Sequence, residues 1–489
     1  MTDTSLSCQR FPGHLVVPPR STSHDRDDGW LTTTSTSYNR KGITVHKKSF
    51  LAVLAAAGLV AVSALGFSGP ANAAGRSCAN KIVDPAAPVV TLWAWSPTAS
   101  VAVDQFNKAH KDVQICWTNA GAGSAEYDKF STAIAAKKGA PDVIMLETEQ
   151  LPSFEIKNAL VDLSKYGANK VKRQFSAGTL KDISQNGDIY AIPDDGGPVA
   201  MMYNKQIFDK YDLTVPKTWA EYQSAAEKLK AAGGPAFGDW PSDTPAFTQA
   251  MFNQAAGSTA KQSFSYNIKN KAALGVKINS AANKKVLRYW SNLVDKGLIT
   301  TVGQQTTDFT TKLSKNQLAT MIAPSWEPGH LGTFGIPTGD DAPWRLAPLP
   351  QWSANKSVQV NWGGSTYAVT SQSKTPKLAA EVAIKLFGNE NQTTIGAHFP
   401  MHLKAQKADW FVNASDPFFG GQKSNRDVWI PAAKGYKGTV YSPFQNYYYT
   451  QLQSQLTKTN SGSSTSKALN SLQATITKYA TSQDFSLKK

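Results

Sequence analysis

From residue 89 onward, short β-branched hydrophobic runs alternate with longer stretches of helical period. "VVTLWAW" (89–95) predicts a buried strand, and residues 99–110 a helix with Val103 and Phe106 turned inward. The strand "DVQICWTN" comes next. A helix follows in which Tyr127, Phe130 and Ile134 recur at i, i+3 and i+7, and then a third strand, "PDVIMLE". Strand, helix, strand, helix, strand predicts an α/β fold with a parallel sheet covered by helices on both faces.

Later helices carry their own punctuation. Thr218 and Glu221 form a capping box ahead of Trp219, Tyr222 and Leu229, with Gly233 as the stop. Residues 280–297 repeat that arrangement around Val286, Trp290 and Leu293. Pro376 opens another helix, closed by Gly388, and Leu469, Leu472, Ile476 and Tyr479 mark the last. "TNSGSSTS" (459–466) is short enough to be a loop, and no internal repeat is visible.

The first 73 residues read as targeting sequence. A polar Ser/Thr-rich stretch leads into the basic "RKGITVHKK", then the apolar run Phe50 to Phe67, then "SGPANAA" with its A-x-A site. Cleavage is expected after Ala73. A retained anchor is the rival reading, since the run is just long enough to span a bilayer, but Gly69-Pro70 and the small residues favour a peptidase site. A start at Val45 would give a compact signal. No twin-arginine pair precedes the run, so general secretion is the expected route.

Export changes how the cysteines read. With Cys8 in the discarded part, Cys78 and Cys116 are left as a pair that an oxidising compartment allows to bridge, two buried thiols being the alternative. Gly75, Arg76 and Ser77 before Cys78 do not suit lipid attachment. The chain's 489 residues, 41% hydrophobic and 18% charged, allow two domains with real cores. Its formal net charge is +16, and the 7 Lys/Arg and 4 Asp/Glu of residues 1–73 reduce this to +13 afterwards. The lysines are dispersed, which fits a solvated basic face near an anionic envelope and not nucleic-acid binding.

Five stretches in order carry a resemblance: "VVTLWAW" with its following helix, "GAPDVIMLETEQLPSFEIKNALVDLSKY", "GDIYAIPDDGGPVAMMYNKQIFDKYDLTVPKTWAEY", "ATMIAPSWEP" and "VNWGGSTYAVTSQSKTPKLAAEVAIKLF". Together, over 88–480, they resemble the extracellular solute-binding proteins of ATP-driven sugar importers, typified by maltose-binding protein. The resemblance implies a two-lobed periplasmic-binding-protein-like fold, each lobe a mainly parallel sheet flanked by helices, joined by a hinge of crossing strands. Lobe one would be 74–197 plus 358–408, and lobe two 198–357 plus 409–489. It implies a monomer that binds a small carbohydrate, uses no cofactor, and docks on the membrane subunits of an ABC permease.

Trp93 and Trp95 lie where the first strand ends, the edge at which doubly wound sheets hold ligands. An indole offers a flat apolar face to a sugar ring and an N–H donor, so Trp95, the further forward, is a candidate. Glu147 and Glu149 follow the third strand, and Asp194 and Asp195 precede the crossover "PVAMMYN"; both pairs resemble family ligand positions. Ionised carboxylates suit vicinal hydroxyls, although either pair could be a solvated turn or a helix cap. Trp326 with Glu327 matches the family's second-lobe aromatic well, and Trp362 with Gly363 its glycine-marked loop. Trp240, Tyr447 and Tyr448 are further aromatic candidates, while Tyr127 is either site or core.

"GAGSAE" (121–126) lacks the third glycine of a dinucleotide fingerprint. His398 and His402 are separated by Pro400, which disfavours the helical turn that would align them on a metal. Two rival functions remain: a secreted glycoside hydrolase using paired carboxylates, and the same fold holding a non-sugar solute.

Overall fold

A computed structural model describes residues 78–96, 99–267, 270–388 and 399–488. The leader, its apolar run and the site at Ala73 lie outside the described residues, as does His398. Among the described residues no helix is long and apolar enough to cross a membrane.

The elements that position the site are, in chain order, β1 (Val89–Trp93), α1 (Ala99–Ala109), β2 (Gln114–Thr118), α2 (Ser124–Ala135), β3 (Val143–Glu147), α3 (Leu151–Glu155), β4 (Ile192–Pro193) and β5 (Val199–Asn204). They continue with α4 (Trp219–Ala231), α5 (Pro245–Ala256), α6 (Ala281–Asp295), β6 (Thr320–Pro324), α7 (Glu327–Gly332), β7 (Trp344–Pro348), β8 (Ser365–Val369), α8 (Pro376–Phe387), α9 (Gln445–Asn460) and α10 (Thr465–Ser482). The helix signals act locally: Thr218 accepts from the Glu221 amide and closes the full capping box of α4, and Gly297 turns left-handed beyond α6 at φ 60°.

One sheet has the order β2-β1-β3-β8-β4. β1 runs parallel to β2 and β3, with alternate Val90 and Leu92 buried against the helices. β8 is antiparallel to both β3 and β4. The second sheet, β6-β5-β7, is antiparallel throughout, which corrects the expectation of a mainly parallel sheet in each lobe. The cause lies in the connections. β5 leaves the crossing point outward, while β6 and β7 both bring the chain back towards it, so neighbours must oppose. Short parallel bridges, Ala236–Leu318 and Asp239–Thr300, flank this ladder. Its outer core is a cluster of large aromatics on α4, α5 and α6 with the aliphatic faces of α9 and α10, including Trp219, Trp290, Leu452 and Leu472.

The chain crosses between the two sheets at 194–198 and returns at 358–364. These crossings are bonded backbone to backbone, Trp362 N–H to Gly197 O at 2.8 Å and Val199 N–H to Val360 O at 3.2 Å. A third pass joins them, with Gly196 N–H donating to Phe399 O and Met401 N–H to Asp194 O. Gly197 is required there, because a Cβ would stand 1.9 Å from the Trp362 carbonyl oxygen. At the start of the described chain Cys78 is bonded to Cys116 of β2, their Cα atoms 5.0 Å apart.

Candidate functional site

β3 ends at Glu147 and β8 begins opposite it at Ser365, at the same edge where β6 ends and β5 begins. The crossing point is therefore where chain ends from both sheets converge. Glu147 accepts a 2.8 Å hydrogen bond from the Tyr127 hydroxyl, and Trp95 packs edge-on against the same ring at 5.8 Å. Tyr127 is thus both core, being 2% exposed, and a holder of the Glu147 carboxylate. Thr148 donates through its amide and hydroxyl to Gly364 O at 2.8 and 3.0 Å, fixing the turn after β3 to the returning crossover.

Glu149 is buried, and its Oε2 accepts from the Tyr449 hydroxyl of α9 at 2.7 Å. Burial raises its pKa to about 8, and nearby Glu147 adds to the rise. Glu147 is itself pushed up, by burial and by Asp195. Asp195 accepts from the Ser365 amide at 2.6 Å, while the buried Asp194 leaves Oδ1 without a partner and rises well above the usual carboxylate range through burial and Asp195.

On the second-lobe side Trp326 caps the end of β6. Its ring is half-buried, but its indole N–H donates to Trp362 O at 3.0 Å, so it offers a ligand a flat face and no donor. Gly363 takes φ +73° beside it, where a Cβ would lie 3.1 Å from that indole nitrogen. Glu327 is buried in the first turn of α7, with His330 Nδ1 3.2 Å from its Oε1, and this contact raises the His330 pKa.

The structure brings Trp95, Glu147, Glu149, Asp194, Asp195, Trp326 and Gly363 to one edge, and it separates the other aromatics from them. Trp240 is completely buried, stacked on Trp290 at 4.8 Å, so it belongs to the second-lobe interior and has no face for a ligand. Trp362 is 7% exposed and stacked on Phe247 at 5.8 Å; it contributes a carbonyl and backing, not a platform. Tyr447 lies flat on Tyr479 at 3.8 Å in a separate groove with Gln150, Ser153 and Lys157, and Tyr448 is fully buried. Trp93 faces a polar groove with Thr118, Asp142 and Lys374. His402 is hydrogen-bonded to Gln174 Oε1 at 3.0 Å.

Three further polar groups, unmarked by the sequence pattern, stand against these residues. Tyr449 stands at helical spacing from Gln445 and Leu452, a signal that could have set it apart from its two neighbours. Asp239 sits beside the Trp240 that drew attention to "FGDWPSD"; it accepts from Gln304 Nε2 at 2.6 Å and is raised to about 7 by burial, with Asp243 and Glu327 adding to it. Gln304 comes from a loop 65 residues further on, and no local pattern marked it.

Two lobes meeting at crossing strands, with half-buried indoles and carboxylates at the meeting edge, define the class of two-lobed solute-binding folds. The sequence profile of the bacterial extracellular solute-binding proteins matches residues 96–393, and the chain belongs to that family. The arabinooligosaccharide-binding protein of Bacillus subtilis (strain 168) is 25% identical over 355 residues, 70% of this chain and 74% of that one. Among solved structures, the ABC transporter associated binding protein of B. animalis subsp. lactis Bl-04, in complex with beta-1,6-galactobiose, is 25% identical with a TM-score of 0.69, covering 82% of this chain and all of that one. The galacto-N-biose-/lacto-N-biose I-binding protein of Bifidobacterium longum shares the fold at 22% identity and a TM-score of 0.69, with 82% and 99% covered.

Proposed function

We propose that the protein captures a sugar or oligosaccharide between its lobes outside the cytoplasm and delivers it unaltered, as a monomer, to the membrane subunits of an ABC permease. The observation that carries this reading is the juxtaposition of the Trp326 ring and Gly363 with the Glu147 and Asp195 carboxylates at the crossing strands. A sugar lying there touches groups from both lobes and favours the closed form by its differential affinity. Each stacking or charged hydrogen-bonding contact contributes about 1 to 3 kcal/mol, so three or four suffice for micromolar binding after association costs. The ligands named for two of the relatives, an arabinooligosaccharide and a galactobiose, support the substrate class.

Export through a signal cleaved after Ala73 accords with the family's extracellular location. The lobe boundaries proposed at 197/198 and 357/358 accord with the chain leaving the first sheet at Pro193, entering the second at Val199 and returning at Ser365.

A thermal-shift screen of mono- and oligosaccharides tests capture, because a ligand that binds only the native form raises Tm. The hit is then recovered and chromatographed. An intact saccharide is expected. Cleavage products would establish the hydrolase reading, and a screen in which no saccharide shifts Tm would remove sugar as the solute.

A further inference from the structure

The lysines are dispersed along the sequence, but the fold gathers several of them at one groove that shares no residue with the candidate sugar edge. Three segments wall it: the turn after α5 at 257–259, the approach to the return crossing at 356–360, and the loop 435–439. Lys356 and Lys437 line it. Lys181, in the last turn of the short helix Ala177–Asp182, meets it from the adjoining groove by donating to Thr259 Oγ1 at 2.6 Å. Two left-handed glycines make room for these side chains. A Cβ on Gly257, at φ +72°, would stand 2.8 Å from Lys356 Nζ, and one on Gly438, at φ +91°, 2.9 Å from Lys181 Cδ. The ammonium groups of Lys356 and Lys181 therefore converge on the same three-residue turn.

Their charge is not balanced locally. Among the described residues neither Lys356 nor Lys437 has an ion-pair partner, and no carboxylate lines the groove. Asp182 lies behind the loop with both oxygens engaged, Oδ2 accepting from the Tyr436 hydroxyl at 2.6 Å and Oδ1 from the Thr439 amide at 2.7 Å. Lys181 is the cation acting on it, which leaves Lys356 and Lys437 uncompensated. The C-terminus of α5, capped at Gly257, supplies a partial charge of about −0.5, too little to offset two ammonium groups.

We infer that this groove binds a phosphate-type oxyanion, inorganic phosphate or a phosphate monoester, between Lys356 and Lys437. An ammonium group has three donors and no acceptor, and it recognises phosphate as a point charge. A phosphate monoester carries about −1.5 to −2 at neutral pH, which matches two ammonium groups where a carboxylate would neutralise one. Hydroxyls of Ser258 and Ser357 line the same groove, and Ser357 Oγ accepts from Gln359 Nε2 at 2.8 Å, so its own O–H is left to donate to the anion.

Calorimetry of the exported protein, as purified from cells, with inorganic phosphate at constant ionic strength in potassium chloride tests the site. Phosphate is expected to bind in the millimolar range and acetate at least tenfold more weakly. Lys356→Gln/Lys437→Gln should weaken phosphate at least tenfold and leave saccharide affinity and the phosphate-free Tm unchanged, because both side chains are exposed and outside the sugar edge. Co-sedimentation with phosphatidylcholine vesicles, with and without phosphatidic acid, identifies the source: capture that needs both lysines makes it a lipid headgroup, and phosphate binding without capture makes it a soluble ion or ester. Phosphate that binds no better than acetate, or a double variant that binds it as well as the parent, overturns the inference. Neither result bears on sugar capture.

Discussion

Trp326 and Trp240 are chemically identical side chains with opposite expected consequences. Trp326 is half-buried with one face towards the crossing edge, so Trp326→Ala should weaken saccharide binding at least tenfold while Tm changes little. Trp240 is sealed against Trp290 and Phe247, and Trp240→Ala should destabilise the fold by about 3 to 5 kcal/mol, read as lost denaturant resistance. Glu155 gives a residue-scale prediction of another kind. Burial alone raises its pKa to about 8 from an ordinary 4.5, and its Oε2 has no partner. Between those values the folded protein holds a proton that the unfolded chain releases. Stability from this group is therefore complete at low pH and declines as pH rises to about 8. Tm should fall between pH 5 and 8.5, and Glu155→Gln should flatten that fall by about 1 to 3 kcal/mol. A variant with the wild-type pH profile would show that the group is not responsible.

At the scale of elements, α9 shows how one helix serves three surroundings. Tyr448 packs into the second-lobe core, Tyr447 stacks on α10 through Tyr479, and Tyr449 reaches Glu149 just beyond β3. Tyr449→Phe removes one hydroxyl and leaves a buried acid with one donor fewer. Affinity should drop about tenfold by calorimetry, with the helical signal unchanged. The Cys78–Cys116 bond ties the start of the described chain to β2, closing a separation of 38 residues. By loop-closure entropy that crosslink contributes about 4 kcal/mol, so reductant, or Cys78→Ser with Cys116→Ser, should lower Tm without abolishing sugar binding.

For the whole molecule, two lobes held by hinge strands imply that binding energy is converted to shape. Saccharide should reduce the radius of gyration in solution scattering, and Trp326→Ala should need correspondingly more ligand to reach the same compact form. An unchanged radius at saturating ligand would mean that the lobes do not close around it.

The sequence by itself determined the local elements and their order. The Thr218–Glu221 box, Pro376, and the period of Val286, Trp290 and Leu293 set helices through interactions within a few residues of each other, and β1, β2 and β3 followed from hydrophobic runs between them. It also marked the acidic pairs at 147/149 and 194/195, because they stand where strands end. Only the tertiary structure decided which aromatics face the edge. Trp240 lies in a turn-like, polar stretch, and its burial comes from Trp290 on a helix fifty residues on. Tyr449 differs from Tyr447 and Tyr448 only by which lobe its side of α9 meets. Strand direction in the second sheet was likewise set by where each strand meets the hinge. Periodicity is written along one chain, whereas exposure and strand pairing depend on the second surface that covers it.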